Sequence, residues 1–512
     1  MERPGLRCPA LFQSLNCRAE TDSRGQGDCL KTYRASKYIT GVSKEIEADY
    51  GEILLFPPAI EDWVGANHPA RFLREVVEKL DLARLGFWES PGEEGRPHYG
   101  NRLLLKAWLW GYLNRIRSSR QLEKACRENV SLIWLLGRKE PDHNTLWRFW
   151  RRNQEGVQQL FREIVGVANR AGLVGMVLHA VDGTKIQAVA SREGAEHLGD
   201  LKKQRDQLDV WIDEVESQIR ENEEKEQGSY RLPKELEDRE VLRRRIDEAM
   251  EQLKREKRTS RNCHEPEARM MPCEGRKRFA YNAQAVVDEA SGMIVAEEVV
   301  DEPCDQGLLV GMLEESEKNL GRVAEDTVAD KGYRSERQIG EAAAKGYPVL
   351  VNLYKTEGEK AGPYHVSRFK YQAEGDCCIC PEGRRLQYER TSRAGHGGLL
   401  QRIYRCHHGS QCGVAAQCTK DKQGRKVALT RYHGALVEQR RRQTQAENRV
   451  KLKMRKQIVE RAFAEIKQHL GFRRWNYRGL GGVRAEWAFV CSVYNLKRLV
   501  SAWSDGKSAA FG

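Results

Sequence analysis

The sequence lacks a long uninterrupted apolar run. Its richest apolar stretch, from Leu103 to Leu113, contains Lys106 and falls short of the roughly 18 residues that cross a bilayer. The N-terminal stretch MERPGLRCPALFQSLNCRAE also lacks the continuous apolar core of a secretory signal. These absences argue against a membrane protein, and we expect a soluble, cytoplasmic one.

Acidic residues are too few to balance the basic ones. The 512-residue chain has 87 Lys and Arg against 74 Asp and Glu, a formal net charge of +13. Clustered cations gain affinity by releasing counterions from phosphates, so this balance indicates a polyanionic partner. Nucleic acid is the leading candidate for that partner.

Composition and apolar periodicity divide the chain into an extension, a helical domain, an α/β core in two parts, a Cys-rich insertion and a tail. A charged helical hairpin is predicted inside the first part of the core, at 196–260; it could dimerise or pack on the core. The predicted bounds in chain order are 1–48 for a poorly ordered extension, 49–172 for the helical domain, 173–353 for the first core part, 354–425 for the insertion, 426–504 for the second core part and 505–512 for the tail.

A helix is predicted after Pro141, with Asp142 or Asn144 as its cap. Its aromatic residues are interleaved with three basic ones: Arg148, Arg151 and Arg152. This pattern fits a helix that buries one face and directs the other to DNA phosphates. Core aromatics with a solvated basic side explain it equally well.

Two acidic residues are predicted at the ends of strands in the core. Met176 to Val181 forms a short apolar run, and Asp182-Gly183 marks its end. Thr327 to Asp330 forms a second short strand before a glycine. An acid at a strand end is a common way to place a metal ligand at a sheet edge, although a turn aspartate is the simple alternative. Together with a β-hairpin at 279–300 and the helices between, these strands predict a mixed sheet flanked by helices.

Cysteines concentrate in the insertion. A C-x2-C pair followed by three further cysteines is typical of a structural zinc site: Cys377, Cys380, Cys406, Cys412 and Cys418. The five-residue gaps after Cys406 are wider than a second C-x2-C pair would give. Reduced cysteines without metal are therefore an open alternative to zinc.

The stretch from Gln457 to Trp475 has the apolar spacing of an amphipathic helix. Glu460 and Lys467 are two turns apart, which brings both onto one face. They could bind a metal ion and a phosphate together, or they could belong to an ordinary salt-bridged surface. With Asp182 and Asp330, Glu460 makes a set of three acids that suits Mg²⁺ ions, which prefer oxygen ligands.

Three blocks resemble the acidic motifs of bacterial insertion-sequence transposases of the DDE type. They are Asp182-Gly183-Thr184-Lys185, Ala329-Asp330-Lys331-Gly332-Tyr333, and Val459-Glu460-Arg461-Ala462-Phe463 with Lys467 and Gly471-Phe472-Arg473-Arg474. Ile116-Arg117-Ser118-Ser119-Arg120, Pro141-Asp142-His143, Val483-Arg484-Ala485-Glu486-Trp487 and Tyr494-Asn495-Leu496 extend the resemblance. Together these motifs cover about 50–499 of the sequence.

The resemblance implies an RNase H-like fold and Mg²⁺-dependent cleavage and joining of DNA at terminal inverted repeats. It implies that Asp182, Asp330 and Glu460 bind two Mg²⁺ ions, for which Mn²⁺ can substitute. It also implies that Lys467 contacts the DNA near the cleaved end. It also implies a target DNA, a homodimer when two ends are paired, and association with the bacterial nucleoid.

The match departs from the family seven and four residues before Glu460. Many relatives have Tyr and Arg there, where this chain has Lys453 and Lys456. We expect these lysines to bind DNA, and Arg473, Arg474 and Trp475 to extend the DNA-facing surface beyond the helix. A DNA-binding protein without catalysis and a hydrolytic nuclease remain as alternative functions.

Overall fold

The computed structural model describes residues 59–88, 98–223, 234–353, 362–393, 398–408 and 411–504. The predicted extension at 1–48 and the tail at 505–512 lie outside these residues. In the part of the chain that is described, no helix is both long and apolar enough to span a membrane.

Six helices form the N-terminal part of the described chain. Their bounds are α1 (Pro69–Lys79), α2 (Asn101–Leu113), α3 (Ser119–Glu128), α4 (Val130–Leu135), α5 (His143–Arg152) and α6 (Gln154–Arg170). The Asp142 carboxylate caps α5 by accepting hydrogen bonds from the amides of Asn144 and Thr145, at 2.9 and 3.1 Å. Trp108 and Trp150 are buried side by side, with ring centroids 5.4 Å apart. The prediction of an all-helical N-terminal region is confirmed.

A helical hairpin interrupts the core after the first strand, as predicted. The elements are β1 (Leu178–Gln187), β2 (Ala195–His197), α7 (Leu198–Glu223), α8 (Lys234–Arg255) and β3 (Ser260–Asn262). The strands β2 and β3 pair with each other and close the base of the hairpin. The two helices share an apolar cluster that includes Leu208 and Ile246, and Arg205 binds Asp247 at 2.7 Å.

The central sheet has mixed strand directions. Its further strands are β4 (Arg269–Cys273), β5 (Arg276–Asp288), β6 (Ile294–Val300), β7 (Asp326–Ala329) and β8 (Val349–Val351), in the order β4-β5-β1-β7-β8 with β6 also on β5. The strand β1 is antiparallel to β5 and parallel to β7. The helices α9 (Leu309–Leu320) and α10 (Glu336–Ala344) follow β6 and β7. The predicted mixed sheet flanked by helices is confirmed.

The Cys-containing insertion forms a separate antiparallel sheet. Its elements are β9 (Lys370–Gln372), β10 (Cys377–Ile379), β11 (Arg385–Arg393), β12 (Leu400–Arg405), the short α11 (Ala415–Cys418) and β13 (Lys426–Thr430). Leu386, Tyr404 and Val427 form its small buried core.

Three helices complete the described chain: α12 (His433–Thr444), α13 (Ala446–Ala464) and α14 (Gly479–Ser504). Asp326, at the start of β7, accepts bonds of 2.7 Å from Arg442 of α12 and from Lys451 of α13. These ion pairs attach both helices to the sheet. The helix α14 is buried between the sheet and the N-terminal helices, where the Trp487 indole donates a hydrogen bond of 2.9 Å to the Gln284 carbonyl.

Candidate active site

The register of β1 and β7 places Asp182 and Asp330 at neighbouring positions. The two parallel strands pair from Leu178 with Asp326 to Val181 with Ala329, and each aspartate follows that last pair. Adjacent strands are about 4.8 Å apart, so the carboxylates lie side by side. The prediction that β1 ends at Asp182 is wrong, because pairing with β5 continues β1 as far as Gln187.

The Asp182 carboxylate is mostly buried and has two hydrogen-bond donors. The Gly183 amide donates to Oδ1 at 2.8 Å, and the Arg455 guanidinium, from α13, binds Oδ2. Burial raises the pKa of Asp182, while Arg455 and the Gly183 amide act in the opposite direction. Asp330 raises this pKa further, which agrees with its position beside Asp182.

Asp330 ends β7 and caps the 3₁₀ turn Lys331–Tyr333. Its Oδ1 accepts a hydrogen bond of 2.5 Å from the Gly332 amide. A Cβ at Gly332 would lie 2.8 Å from Asp330 Oδ1 and 3.3 Å from Asp305 Oδ2. The motif therefore needs glycine here, because a side chain would enter the space between two carboxylates.

Asp305 is an acid of this site that the sequence analysis missed. Its Oδ1 accepts hydrogen bonds from Lys185 Nζ at 3.0 Å, Asn282 Nδ2 at 2.6 Å and Gln284 Nε2 at 2.9 Å. Asp305 lies in the segment between β6 and α9, which starts at Leu309. The signal that could have revealed this network is the pair Asn282 and Gln284, two polar residues at alternate positions in the mostly apolar part of β5, from Phe279 to Val287.

The Tyr333 hydroxyl connects this network to the aspartates by donating a hydrogen bond to Gln284 Oε1. Burial raises the pKa of Tyr333 well above its ordinary value, and Asp305, Asp182 and Asp330 raise it further. Three carboxylates therefore lie close enough to one buried hydroxyl to raise its pKa, and Arg455 acts in the opposite direction.

Glu460 does not join the two aspartates. The helix α13 packs on β1 and β7 through the face that contains Arg455 and Val459. Five residues at about 100° each separate Arg455 from Glu460, which directs Glu460 away from that face. The Glu460 side chain is 62% exposed, with Lys456 Nζ at 3.8 Å. Within the described ranges, no three His, Cys, Asp or Glu side chains are arranged to bind a metal ion.

The residues after Glu460 that were predicted to contact DNA mostly contact protein. Lys467 is half-buried in a π-helical turn, and burial lowers its pKa, with Cys273 and Glu274 nearby. Arg473 is exposed and binds Glu274 at 3.0 Å. Arg474 is exposed too, but its guanidinium donates to the carbonyls of Ala188 and Val189.

The prediction that Trp475 faces DNA is wrong. Trp475 is 2% exposed and packs against Phe472, Tyr281 and Trp487. Its indole donates a hydrogen bond of 3.1 Å to the Ile186 carbonyl. A large apolar ring beside the end of β1 gains more from burial than from exposure, so the Arg-Arg-Trp sequence turns inward at the tryptophan.

Other predicted DNA-binding residues lie at the surface. Lys453 and Lys456 are exposed on α13. On α5, the residues Leu146, Phe149 and Trp150 are buried, whereas the three predicted arginines are exposed: Arg148, Arg151 and Arg152. The Arg151 guanidinium lies over the exposed Trp147 ring, 5.3 Å from its centroid. This surface is open to a ligand, and DNA binding by it stays a prediction.

The five predicted zinc ligands are not arranged as one site. Cys380, Cys406 and Cys418 contact the core of the insertion, but Cys377 lies in β10, with its Sγ 3.8 Å from Gln372 Oε1. The strand β10 runs from Cys377 to Ile379 and ends just before Cys380. The Arg384 amide donates to Cys380 Sγ at 3.2 Å, which suits a thiolate. Zinc binding stays a prediction.

Two family profiles match the chain. The profile described as a transposase DDE domain matches residues 379–500, and the one described as a transposase domain of the DUF772 type matches residues 58–152. The first match contains α13 with Glu460, and Asp182 and Asp330 lie outside both. No curated protein matches the chain. The order of acidic motifs, the mixed sheet and these two matches agree: the chain contains a transposase DDE domain, which is RNase H-like, and a second transposase domain, as in insertion-sequence transposases of the DDE type.

Proposed function

We propose that this transposase cleaves DNA at the terminal inverted repeats of its element and joins the cleaved ends to a target. Asp182 and Asp330 bind the divalent metal in this proposal. The observation that supports it most directly is the parallel register of β1 and β7, which brings two acids from distant motifs to adjacent positions. The family match supports transposition in general, and the acid pair suggests how the chemistry is done.

The donor set fits Mg²⁺, which prefers carboxylate oxygens and retains water and substrate phosphate as further ligands. Bound metal would activate the attacking water or 3′-hydroxyl and stabilise the leaving oxygen, and Mn²⁺ would serve in its place. Arg455 partly neutralises Asp182 and would bind a phosphate close to it. Asp305 aligns Lys185, Asn282 and Gln284 beneath the pair.

Glu460 is assigned as the third acid through the family motif. It lies on α13, the helix that also contributes Arg455, and its exposed carboxylate is accessible to metal or DNA. The exposed lysines of α13 and arginines of α5 are proposed to bind the DNA backbone, with Lys467, Arg473 and Arg474 closer to the cleaved end. Pairing of two element ends implies a homodimer.

One assay separates this function from its two alternatives. Purified protein, Mg²⁺ and a duplex containing the DNA that flanks the coding region are tested for nicking and for strand transfer. Asp182→Asn and Asp330→Asn are expected to lower both by more than about 100-fold, since even outer-shell partners of a metal contribute 10- to 100-fold. Asp421→Asn is the matched control, because Asp421 belongs to the insertion and pairs with Lys426 at 3.2 Å.

The outcomes are distinct. A protein that binds this duplex but never cuts it is a DNA-binding protein without catalysis. A protein that nicks it but never forms joined product is a hydrolytic nuclease. Strand transfer that persists undiminished in Asp182→Asn overturns the proposed metal site.

A further inference from the structure

A cleft of about 1040 Å³ lies between the Cys-containing sheet and the helices α10 and α12. Its walls come from β9, β11, β12 and the end of β13 in the sheet, and from α10 and the segment 431–434. None of the residues of the candidate active site lines it. We call it the arginine cleft, after the four arginines that line it: Arg337, Arg393, Arg402 and Arg431.

The arginine cleft has an excess of positive charge. No Asp or Glu is among the described residues that line it. Glu341 pairs with Arg337 at 2.7 Å, and Asp376 pairs with Arg402. Arg393 and Arg431 are exposed and make no ion pair with any residue of the described ranges. Arg431 also lies over the Tyr432 ring, 4.6 Å from its centroid, and its charge lowers the pKa of Glu341. Two guanidinium groups without an ion pair in one concave surface favour an anionic ligand, because they bind phosphates bidentately.

Tyrosine rings accompany these arginines. Tyr371, on the wall of the cleft, is 44% exposed. Tyr388, which does not line the cleft, is 42% exposed, and the Arg402 guanidinium lies 4.7 Å from the centroid of the Tyr388 ring. Tyr404 lies between them, with ring centroids 5.8 Å from Tyr371 and 6.0 Å from Tyr388. Rings of this kind offer stacking surfaces to bases, which are accessible in an unpaired strand but not inside a duplex.

We propose that the arginine cleft binds a single-stranded segment of DNA, with phosphates on Arg393 and Arg431 and a base on Tyr371. The inference rests on the proposed function, since strand cleavage and joining at DNA ends expose unpaired strands. It assigns a role to the Cys-containing sheet, which places β9, β11 and β12 opposite α10. Arginines alone would suit any polyanion, and it is the exposed rings that favour an unpaired strand over a duplex or an acidic protein.

The test uses the full chain and two fluorescein-labelled probes, a 20-nucleotide oligothymidylate and a 20-base-pair duplex, without added divalent metal. Fluorescence anisotropy gives the dissociation constants over a range of salt concentrations. Arg393→Ser is expected to weaken strand binding by roughly tenfold and to reduce its salt slope by about 0.7, which corresponds to one lost phosphate contact. Tyr371→Ala is expected to weaken strand binding roughly tenfold with an unchanged salt slope, because stacking is not ionic.

Arg390→Ser is the matched control. Arg390 lies on the same strand as Arg393 and is exposed, but it does not line the cleft. Equal melting temperatures of the three variants and the wild type would show that all are folded. The proposal is overturned if Arg393→Ser and Arg390→Ser have the same effect on the strand. It is also overturned if Arg393→Ser and Tyr371→Ala weaken duplex binding as much as strand binding.

The outcomes for the cleft and for the proposed function are separable. Strand binding that depends on Arg393 and Tyr371, in a protein that never nicks or joins DNA, supports the cleft and contradicts the proposed function. If metal-dependent strand transfer instead requires Asp182 while strand binding is unaffected by Arg393→Ser, the result supports the proposed function and contradicts the proposal for the arginine cleft.

Discussion

The Tyr112 hydroxyl donates a hydrogen bond of 2.9 Å to Glu486 Oε1, and this contact joins α2 to α14 inside the protein. Asn476 donates to the same carboxyl group through its backbone amide, at 2.9 Å, and through its side chain, at 2.5 Å. Glu486 is fully buried. The resemblance had marked Glu486 within a motif, and the structure places it where the helical region meets the catalytic core.

The first prediction concerns the pH dependence of stability. Burial raises the pKa of Glu486 from 4.5 to about 7, so the folded protein binds this proton more tightly than the unfolded chain does. The resulting stability is fully present below pH 4.5 and is lost as the pH rises to about 7. The loss amounts to about 3 kcal/mol of the free energy of unfolding.

Chemical denaturation at pH 5, 6, 7 and 8 measures this effect in the wild type and in Glu486→Gln. The variant has no proton to lose, so its free energy of unfolding is expected to stay nearly constant where that of the wild type falls. Other groups titrate equally in both proteins, and the difference isolates Glu486. Parallel pH profiles for the two proteins would contradict the assignment.

The second prediction concerns Gly183, which follows the candidate metal ligand Asp182. A Cβ there would lie 2.2 Å from Gln284 Nε2 and 2.8 Å from Asn282 Oδ1, and both of these side chains are buried and bonded to Asp305. Gly183→Ala is therefore expected to cost about 1–3 kcal/mol of stability through overpacking, and to lower strand cleavage by displacing this network.

Gly199→Ala is the control for that substitution. Gly199 is in the first turn of α7, where an added Cβ meets nothing within 4 Å. Thermal unfolding should show this variant at least as stable as the wild type, because alanine favours helix. If Gly183→Ala is as stable as Gly199→Ala, the short distances from Gly183 to the Gln284 and Asn282 side chains do not exclude a side chain at position 183.

The third prediction separates catalysis from stability at Glu460. The side chain is 62% exposed and its ion pair with Lys456 spans 3.8 Å, so Glu460→Gln should change the free energy of unfolding by less than about 0.5 kcal/mol. Strand cleavage should nevertheless fall by more than about 100-fold if Glu460 completes the acid set. Nicking rates and urea denaturation of the same preparation test both expectations.

Glu447→Gln is the matched control, because Glu447 is an exposed acid of the same helix that pairs with Lys451 at 2.8 Å. It should retain both stability and cleavage. Undiminished cleavage by Glu460→Gln would remove Glu460 from the catalytic set and leave Asp182, Asp330 and Asp305 as the acids to examine.

The fourth prediction compares two tryptophans of opposite exposure. Trp475 is 2% exposed and Trp147 is 44% exposed. Trp475→Ala is expected to cost about 3–5 kcal/mol of stability, and Trp147→Ala less than about 1 kcal/mol. Trp147→Ala should instead weaken DNA binding, because Arg151 packs over its ring. If urea denaturation finds Trp475→Ala as stable as Trp147→Ala, the buried position of Trp475 is wrong.

Local patterns were sufficient for most helices and strands. The helix predicted after Pro141 is α5, with Asp142 as its cap, and the β-hairpin predicted at 279–300 is formed by β5 and β6. Apolar spacing is set by neighbours a few residues apart, so it can be seen in one sequence. Two acids of the candidate site were also predicted from local motifs, Asp182-Gly183 and Asp330-Lys331-Gly332. In the structure both glycines lie so close to neighbouring side chains that a Cβ would collide with them.

The sequence by itself determined the helical or extended character of the main segments, the basic surface of α5 and the motifs that define the family. Tertiary structure alone decided that β1 continues past Asp182, that Asp305 lies beside Asp330, that Trp475 is buried and that Glu460 faces solvent. These features depend on the pairing of β1 with β5 and on the rotation of α13 over the sheet. Both bring together residues about a hundred or more positions apart, whose contact energies leave no periodic trace in the chain.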